Sequence, residues 1–187
     1  MSKKIVITGG LGYIGTELCR IYSGISWNNE ILVIDNRFIS ERVNQLRNWN
    51  INFIHGDILD KNLINKHCKD ADVIHHLAGV TDVPRVKSES NADKDSKIKL
   101  IAKEGTQNIL DAISDKCKII FPSTHVVYEG IEKVKNNILE DENTKPVLSY
   151  ATSKATNEKQ LKNSGKNYII LRLGSVYGYS TDTARID

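Results

Sequence analysis

Cysteine is scarce in this chain, with three in 187 residues, at positions 19, 68 and 117. None forms a Cys-x-x-Cys pair or stands at a metal-ligating spacing from a histidine. That excludes a disulfide framework and the common zinc motifs, and the thiols read as reduced and buried, with no metal expected. No apolar run approaches the roughly 20 residues needed to cross a bilayer. The first strand pattern begins almost at Met1, which leaves no room for a secretory h-region, so a cytoplasmic location is expected. Neither charge sign dominates: 26 Lys and Arg face 23 Asp and Glu, for a net charge of +3. The lysines are scattered, so neither a nucleic-acid nor a membrane partner is expected, whereas a phosphorylated small molecule remains compatible. Repeats, low-complexity tracts and linkers are absent as well. With 40% hydrophobic residues the chain is long enough for one domain, 1–187, with a sizeable core.

What is present is an alternation of strand and helix patterns. Short β-branched or apolar runs occur at Lys3 to Thr8, Glu30 to Asp35, Ile51 to His55, Asp72 to Leu77, Cys117 to Phe121 and Asn167 to Leu173. Pro122 is expected to close the fifth. Helical patterns fall around residues 14 to 21, 40 to 47, 60 to 67, 93 to 114 and 150 to 162, the fourth burying Ile98, Ile101, Ala102, Ile109, Leu110 and Ile113. Residues 123 to 147 carry no sustained periodicity, and so long a loop in a compact domain is usually functional. The expected fold is α/β, a doubly wound parallel sheet of the Rossmann type with helices on both faces.

Between the first strand and the first helix stands Thr8-Gly9-Gly10-Leu11-Gly12-Tyr13-Ile14-Gly15. Glycines let a backbone turn tightly and approach a pyrophosphate closely, while the N–H groups of a following helix's first turn bind the anion. Asp35 lies 20 residues past Gly15, at the end of the second strand, where a carboxylate accepts hydrogen bonds from both hydroxyls of an adenosine ribose. That favours NAD over NADP, although Arg37 is close enough to accommodate a 2′-phosphate.

Tyr150 and Lys154 stand four apart on a predicted helix and project from one face. An ammonium beside a phenol lowers the phenol's pKa from its usual value of about 10, which suits the tyrosine to general acid/base work. His75 and His76 alternate across a strand and cannot share a metal; they read as structural. Trp27 and Trp49, near element ends, read as packing residues.

With these residues in view, the chain resembles the extended short-chain dehydrogenase/reductases, specifically the NAD-dependent nucleotide-sugar epimerase/dehydratase branch that includes UDP-glucose 4-epimerase. Besides the glycine turn, whose three-residue spacing fits that branch, the resemblance is carried by Asp35-Asn36, Gly56-Asp57-Ile58 and His76-Leu77-Ala78-Gly79. It continues through Gly105-Thr106-Gln107-Asn108-Ile109-Leu110, Pro122-Ser123-Thr124-His125-Val126-Val127-Tyr128, Tyr150-Ala151-Thr152-Ser153-Lys154 and Arg172-Leu173-Gly174-Ser175-Val176-Tyr177-Gly178.

The resemblance implies NAD as cofactor, with Gly9, Gly12, Tyr13, Ile14, Gly15, Asp35, Asn36, Asp57, Ile58, Leu77, Ala78, Gly79, Tyr150 and Lys154 around it. Thr124, Tyr150 and Lys154 would be catalytic, and Thr81, His125 and Ser175 would approach the nucleotide-sugar substrate. The reaction implied is an epimerisation: hydride abstraction, a 4-keto sugar, and hydride return. A sugar dehydrogenase or reductase with the same site, or a non-catalytic NAD-binding scaffold responsive to redox state, are the alternatives. Dehydratases of the branch carry Asp-Glu after the Ser/Thr, where this chain has His125-Val126, so a 4,6-dehydratase is disfavoured. Two further departures are Ala102 and Ser175, each where the family often has Asn. The resemblance also implies a homodimer through the long helix and the Tyr150 helix. A C-terminal substrate lobe follows in family members; its absence here would leave cofactor binding with weak or no turnover.

Overall fold

The computed structural model describes residues 2–25, 28–80, 92–132 and 136–178. Six parallel strands, β1 (Lys4–Thr8), β2 (Glu30–Asp35), β3 (Asn52–His55), β4 (Val73–His76), β5 (Lys118–Thr124) and β6 (Asn167–Leu173), form one sheet in the order β3-β2-β1-β4-β5-β6. The order reverses direction beside β1, and the crevice beyond the carboxyl ends of β1 and β4 is where such sheets bind ligands. The helices are α1 (Tyr13–Ser23), α2 (Ser40–Asn48), α3 (Lys61–Cys68), α4 (Ala92–Leu100), α5 (Thr106–Ala112) and α6 (Ser149–Asn163).

The period-two alternation of the strands divides the core. Ile5, Ile7 and Val33 pack with Cys19, Val43 and Leu46 from α1 and α2. Val6, Leu32, Ile34, Ile74, Ile119 and Phe121 turn the other way, onto Ile64, Ile109 and Leu161 from α3, α5 and α6. Trp49, partly buried, packs against the first cluster; Trp27 lies outside the described residues. All three cysteines are free and buried, and burial pushes the Cys19 and Cys68 thiols up to about 12.

Two elements differ from the sequence pattern. Strand β5 runs through Pro122 to Thr124. Its pairing with β4 ends at Ile120, so the missing N–H of Pro122 costs no bond to that neighbour, and pairing with β6 carries on to Thr124. The long helix is broken by a π-turn at Ile101–Gly105, which separates α4 from α5. A Cβ on Gly105 would stand 2.3 Å from Ile58 Cδ1, so the helix passes close against Ile58, three residues past the end of β3. Strand β6 forms one edge of the sheet: Ile170 packs into the α6-side core, while Ile169 and Leu171 on the opposite face are 40% and 44% exposed. Among the described residues no helix is long and apolar enough to cross a membrane.

Candidate active site

A cavity of about 580 Å³ opens at the carboxyl ends of the strands, bordered by the glycine turn, the ends of β2, β4 and β5, and the first turns of α6. Its floor is the turn. Gly9 has φ +70°, and a Cβ there would lie 2.7 Å from the backbone nitrogen of Ala78; a Cβ on Gly15 would lie 2.6 Å from the carbonyl oxygen of Gly9. Neither position tolerates a side chain without moving backbone. No side chain caps α1, and Tyr13, Ile14 and Gly15 in its first turn border the cavity. The turn is braced from below. The Leu11 N–H donates to Asp35 Oδ2 at 3.0 Å, and the buried Arg42 donates to the Leu11 carbonyl.

Beyond the turn, Asp35 is buried at the end of β2, and its Oδ1 accepts from the Arg37 N–H at 3.0 Å and from Arg37 Nε at 3.4 Å. The guanidinium is thereby folded back towards the carboxylate. Asn36 Nδ2 donates to Asp57 Oδ2 at 2.9 Å, which joins the ends of β2 and β3 along one wall.

The opposite end is built on α6. Lys154 donates to the Pro122 carbonyl at 2.8 Å and lies 4.5 Å from the Phe121 ring centroid and 5.9 Å from that of Tyr150. Burial pushes its pKa down to about 8. Thr124, buried at the end of β5, accepts from the Val126 N–H at 3.2 Å, which leaves its own O–H to donate. Behind the lysine runs a buried polar chain. His76 Nδ1 meets Thr8 Oγ1 and His76 Nε2 meets Thr106 Oγ1, both at 2.9 Å, and Asn157 of α6 donates to Thr106 Oγ1 at 2.9 Å. Burial, then the Lys154 charge, lower the His76 pKa to about 3, so the imidazole is neutral. His75 faces the other side of the sheet, where Nε2 meets the Tyr22 hydroxyl at 2.8 Å.

A sequence model of the NAD dependent epimerase/dehydratase family matches residues 5–186. The chain belongs to the NAD-dependent epimerase/dehydratase family. It is similar to CDP-paratose 2-epimerase of Salmonella typhi, 31% identical over 94% of this chain and 58% of that protein. Among solved structures, UDP-N-acetylglucosamine 4-epimerase from Methanobrevibacter ruminantium M1, in complex with UDP-N-acetylmuramic acid, superposes with a TM-score of 0.79 at 29% identity, over 97% of this chain and 57% of that one. UDP-glucose 4-epimerase from Brucella ovis, in complex with NAD, gives 0.72 at 25% identity, over 91% and 51%. The chain thus spans rather more than half the length of the first two and about half of the third.

The epimerase/dehydratase family is NAD-dependent, and the cavity fits a dinucleotide: the uncapped first turn of α1 borders it, and the buried carboxylate of Asp35 borders it at the end of the neighbouring strand. Of the residues that the sequence pointed to, Gly9, Gly12, Tyr13, Ile14, Gly15, Asp35, Asn36, Asp57, Ile58, Leu77, Ala78, Gly79, Thr124, Tyr150 and Lys154 all border it. His125 and Ser175 do not. His125 is exposed with Nδ1 3.2 Å from the Leu173 carbonyl, and Ser175 is exposed between two bordering residues, Gly174 and Val176. Thr81 lies outside the described residues. The sequence reading missed Lys97, and took Ile101 for core alone. The two stand four apart on one helical face, a spacing that could have flagged Lys97 once Ile101 was placed at the cavity.

Proposed function

We propose that the protein is an NAD-dependent nucleotide-sugar epimerase that oxidises a sugar carbinol carbon to a ketone and reduces it again from the opposite face. The observation that carries this reading is one cavity with the glycine turn and Asp35 at one end and Thr124, Tyr150 and Lys154 at the other. NAD held there supplies the nicotinamide that accepts the hydride and returns it. The chain's own residues do the rest. The N–H groups at the start of α1 bind the pyrophosphate, and Asp35 takes the adenosine ribose hydroxyls. Tyr150, as phenolate, removes the proton from the sugar hydroxyl as the carbon is oxidised, and gives it back on reduction. Thr124 donates a hydrogen bond to the same sugar oxygen. Lys154 stays largely protonated at neutral pH, favours the phenolate by its charge, and holds the nicotinamide ribose. A homodimer paired through α4, α5 and α6 belongs to the same reading.

Titration of the purified chain with NAD, followed by intrinsic fluorescence, should saturate; no saturation at millimolar NAD sinks the proposal. For the full-length protein, incubation with UDP-, GDP-, CDP- and dTDP-sugars, with products separated by chromatography, should yield an epimer without net NADH. Accumulating NADH would instead identify a dehydrogenase. Tyr150→Phe should abolish conversion and leave NAD affinity within about threefold.

A further inference from the structure

The acid/base face of α6 does not end at Lys154. Tyr150, Lys154 and Glu158 stand at successive intervals of four, so one stripe of the helix carries all three. Glu158 is deeply buried, its side chain 3% exposed, and faces Arg172 of β6, 12% exposed. The pair is bidentate: Arg172 Nε donates to Glu158 Oε1 at 2.9 Å and Nη2 to Oε2 at 2.6 Å. Ser123 of β5 adds a third bond, Oγ to Glu158 Oε1 at 2.6 Å. The remaining nitrogen, Nη1, donates to the Tyr128 hydroxyl and, at 2.8 Å, to the Glu140 carbonyl. Burial raises the Glu158 pKa, but Arg172, Ser123 and Lys162, whose Nζ lies 3.7 Å from Oε2, outweigh it together and hold the carboxyl below its ordinary range.

The location of this cluster is what gives it meaning. Ser123 sits between Pro122, whose carbonyl takes Lys154, and Thr124. The same carboxylate therefore ties β5, β6 and α6 together one residue from each of those groups. At the entrance of α6, Glu129 Oε1 accepts the N–H groups of Val147 and Leu148, both at 2.6 Å, so the stripe is held at its start as well. A buried ion pair is a poor source of stability, since desolvation offsets most of its attraction and an apolar pair of like volume serves as well. What a planar, bidentate fork does supply is a single allowed placement of the elements it joins.

We infer that the Arg172–Glu158–Ser123 cluster is a positioning device for the acid/base group, setting the register of α6 against the ends of β5 and β6 and hence the place of Tyr150 and Lys154 relative to Thr124. The inference rests on the roles given above to those three residues, and its test does not depend on turnover. In protein carrying 13C at lysine Cε, the Lys154 resonance is identified by its loss in Lys154→Met and followed against pH. In Arg172→Lys an ammonium cannot reach both Glu158 oxygens together with Tyr128 and Glu140. The loosened stripe admits water to Lys154, whose proton affinity should rise tenfold or more. Ser123→Ala removes one hydrogen bond and no charge, so it keeps the fold, and should raise the affinity about threefold. Asp60→Ala, at the start of α3, lowers stability far from the site and should leave Lys154 unmoved. A Lys154 titration unchanged in folded Arg172→Lys and in Ser123→Ala overturns the inference; if Arg172→Lys fails to fold, Ser123→Ala alone decides. Absence of saturable NAD binding with a displaced titration would refute the epimerase reading and leave the positioning role standing; saturable NAD binding with an unmoved titration would do the reverse.

Discussion

Removing the Lys154 amine should make the protein's stability lose a specific part of its pH dependence. The folded lysine titrates near 8 because burial disfavours its charge, whereas in an unfolded chain it titrates near its ordinary value of about 10.4. Below pH 8 both states are protonated and the folded state carries the whole penalty. At about 1.4 kcal/mol per pKa unit, that penalty is about 3 kcal/mol. Between pH 8 and about 10.4 the folded state sheds its proton while the unfolded state keeps it. The unfolded state then binds more protons, so stability rises with pH; above that window the penalty is gone. Lys154→Met keeps most of the side-chain volume and has no such term. It also gives up the bond to the Pro122 carbonyl, a loss of about 1–2 kcal/mol that is present across the range. The unfolding free energy of the native chain minus that of the Met variant should therefore climb by about 3 kcal/mol from pH 7 to pH 10.5. Urea unfolding followed by circular dichroism at half-unit intervals measures it. A difference flat to within about 0.5 kcal/mol over that window would refute the buried, destabilised ammonium.

Three further outcomes follow from the same geometry. Gly9→Ala places a methyl 2.7 Å from the Ala78 backbone nitrogen at φ +70°; it should cost about 1–3 kcal/mol of stability and abolish saturable NAD binding, both accessible by calorimetry. In Asp35→Asn an acceptor for the Leu11 N–H survives, but the charge that repels a 2′-phosphate and retains Arg37 does not. The ratio of NADP to NAD affinity in fluorescence titrations should rise at least tenfold, and an unchanged ratio would deny Asp35 its selective role. Asp60 accepts the Asn62 and Leu63 N–H groups at 3.0 Å at the start of α3, so Asp60→Ala should lower the unfolding free energy by about 1 kcal/mol with NAD affinity unchanged.

Much of this architecture was legible before any coordinates, because strands and helices leave short-range marks. The apolar runs, the glycines between β1 and α1, and the four-residue spacing of Tyr150 and Lys154 all lie within one element or one turn. Elements whose form depends on a distant neighbour were less legible. Pro122 reads locally as a strand end, yet β5 continues because its β4 partner has already stopped and β6 has not. An even helical period runs from 93 to 114, yet Gly105 meets Ile58 and the helix takes a π-turn there.

By itself, then, the amino-acid sequence determined the order of elements, the parallel α/β class, the glycine turn between β1 and α1 and the four-residue spacing of Tyr150 and Lys154, since each follows from local periodicity and backbone freedom. Only the tertiary structure decided that Lys97 borders the cavity, that Asp35 braces the turn as well as bordering the cavity, and that Glu158, one helical turn from Lys154, pairs with Arg172 and Ser123. Those partners lie 14 to 35 residues apart within the ion-pair cluster and 24 apart at the turn. No propensity spans such distances, and what joins them is the stacking of helices on a sheet whose strand order crosses back on itself.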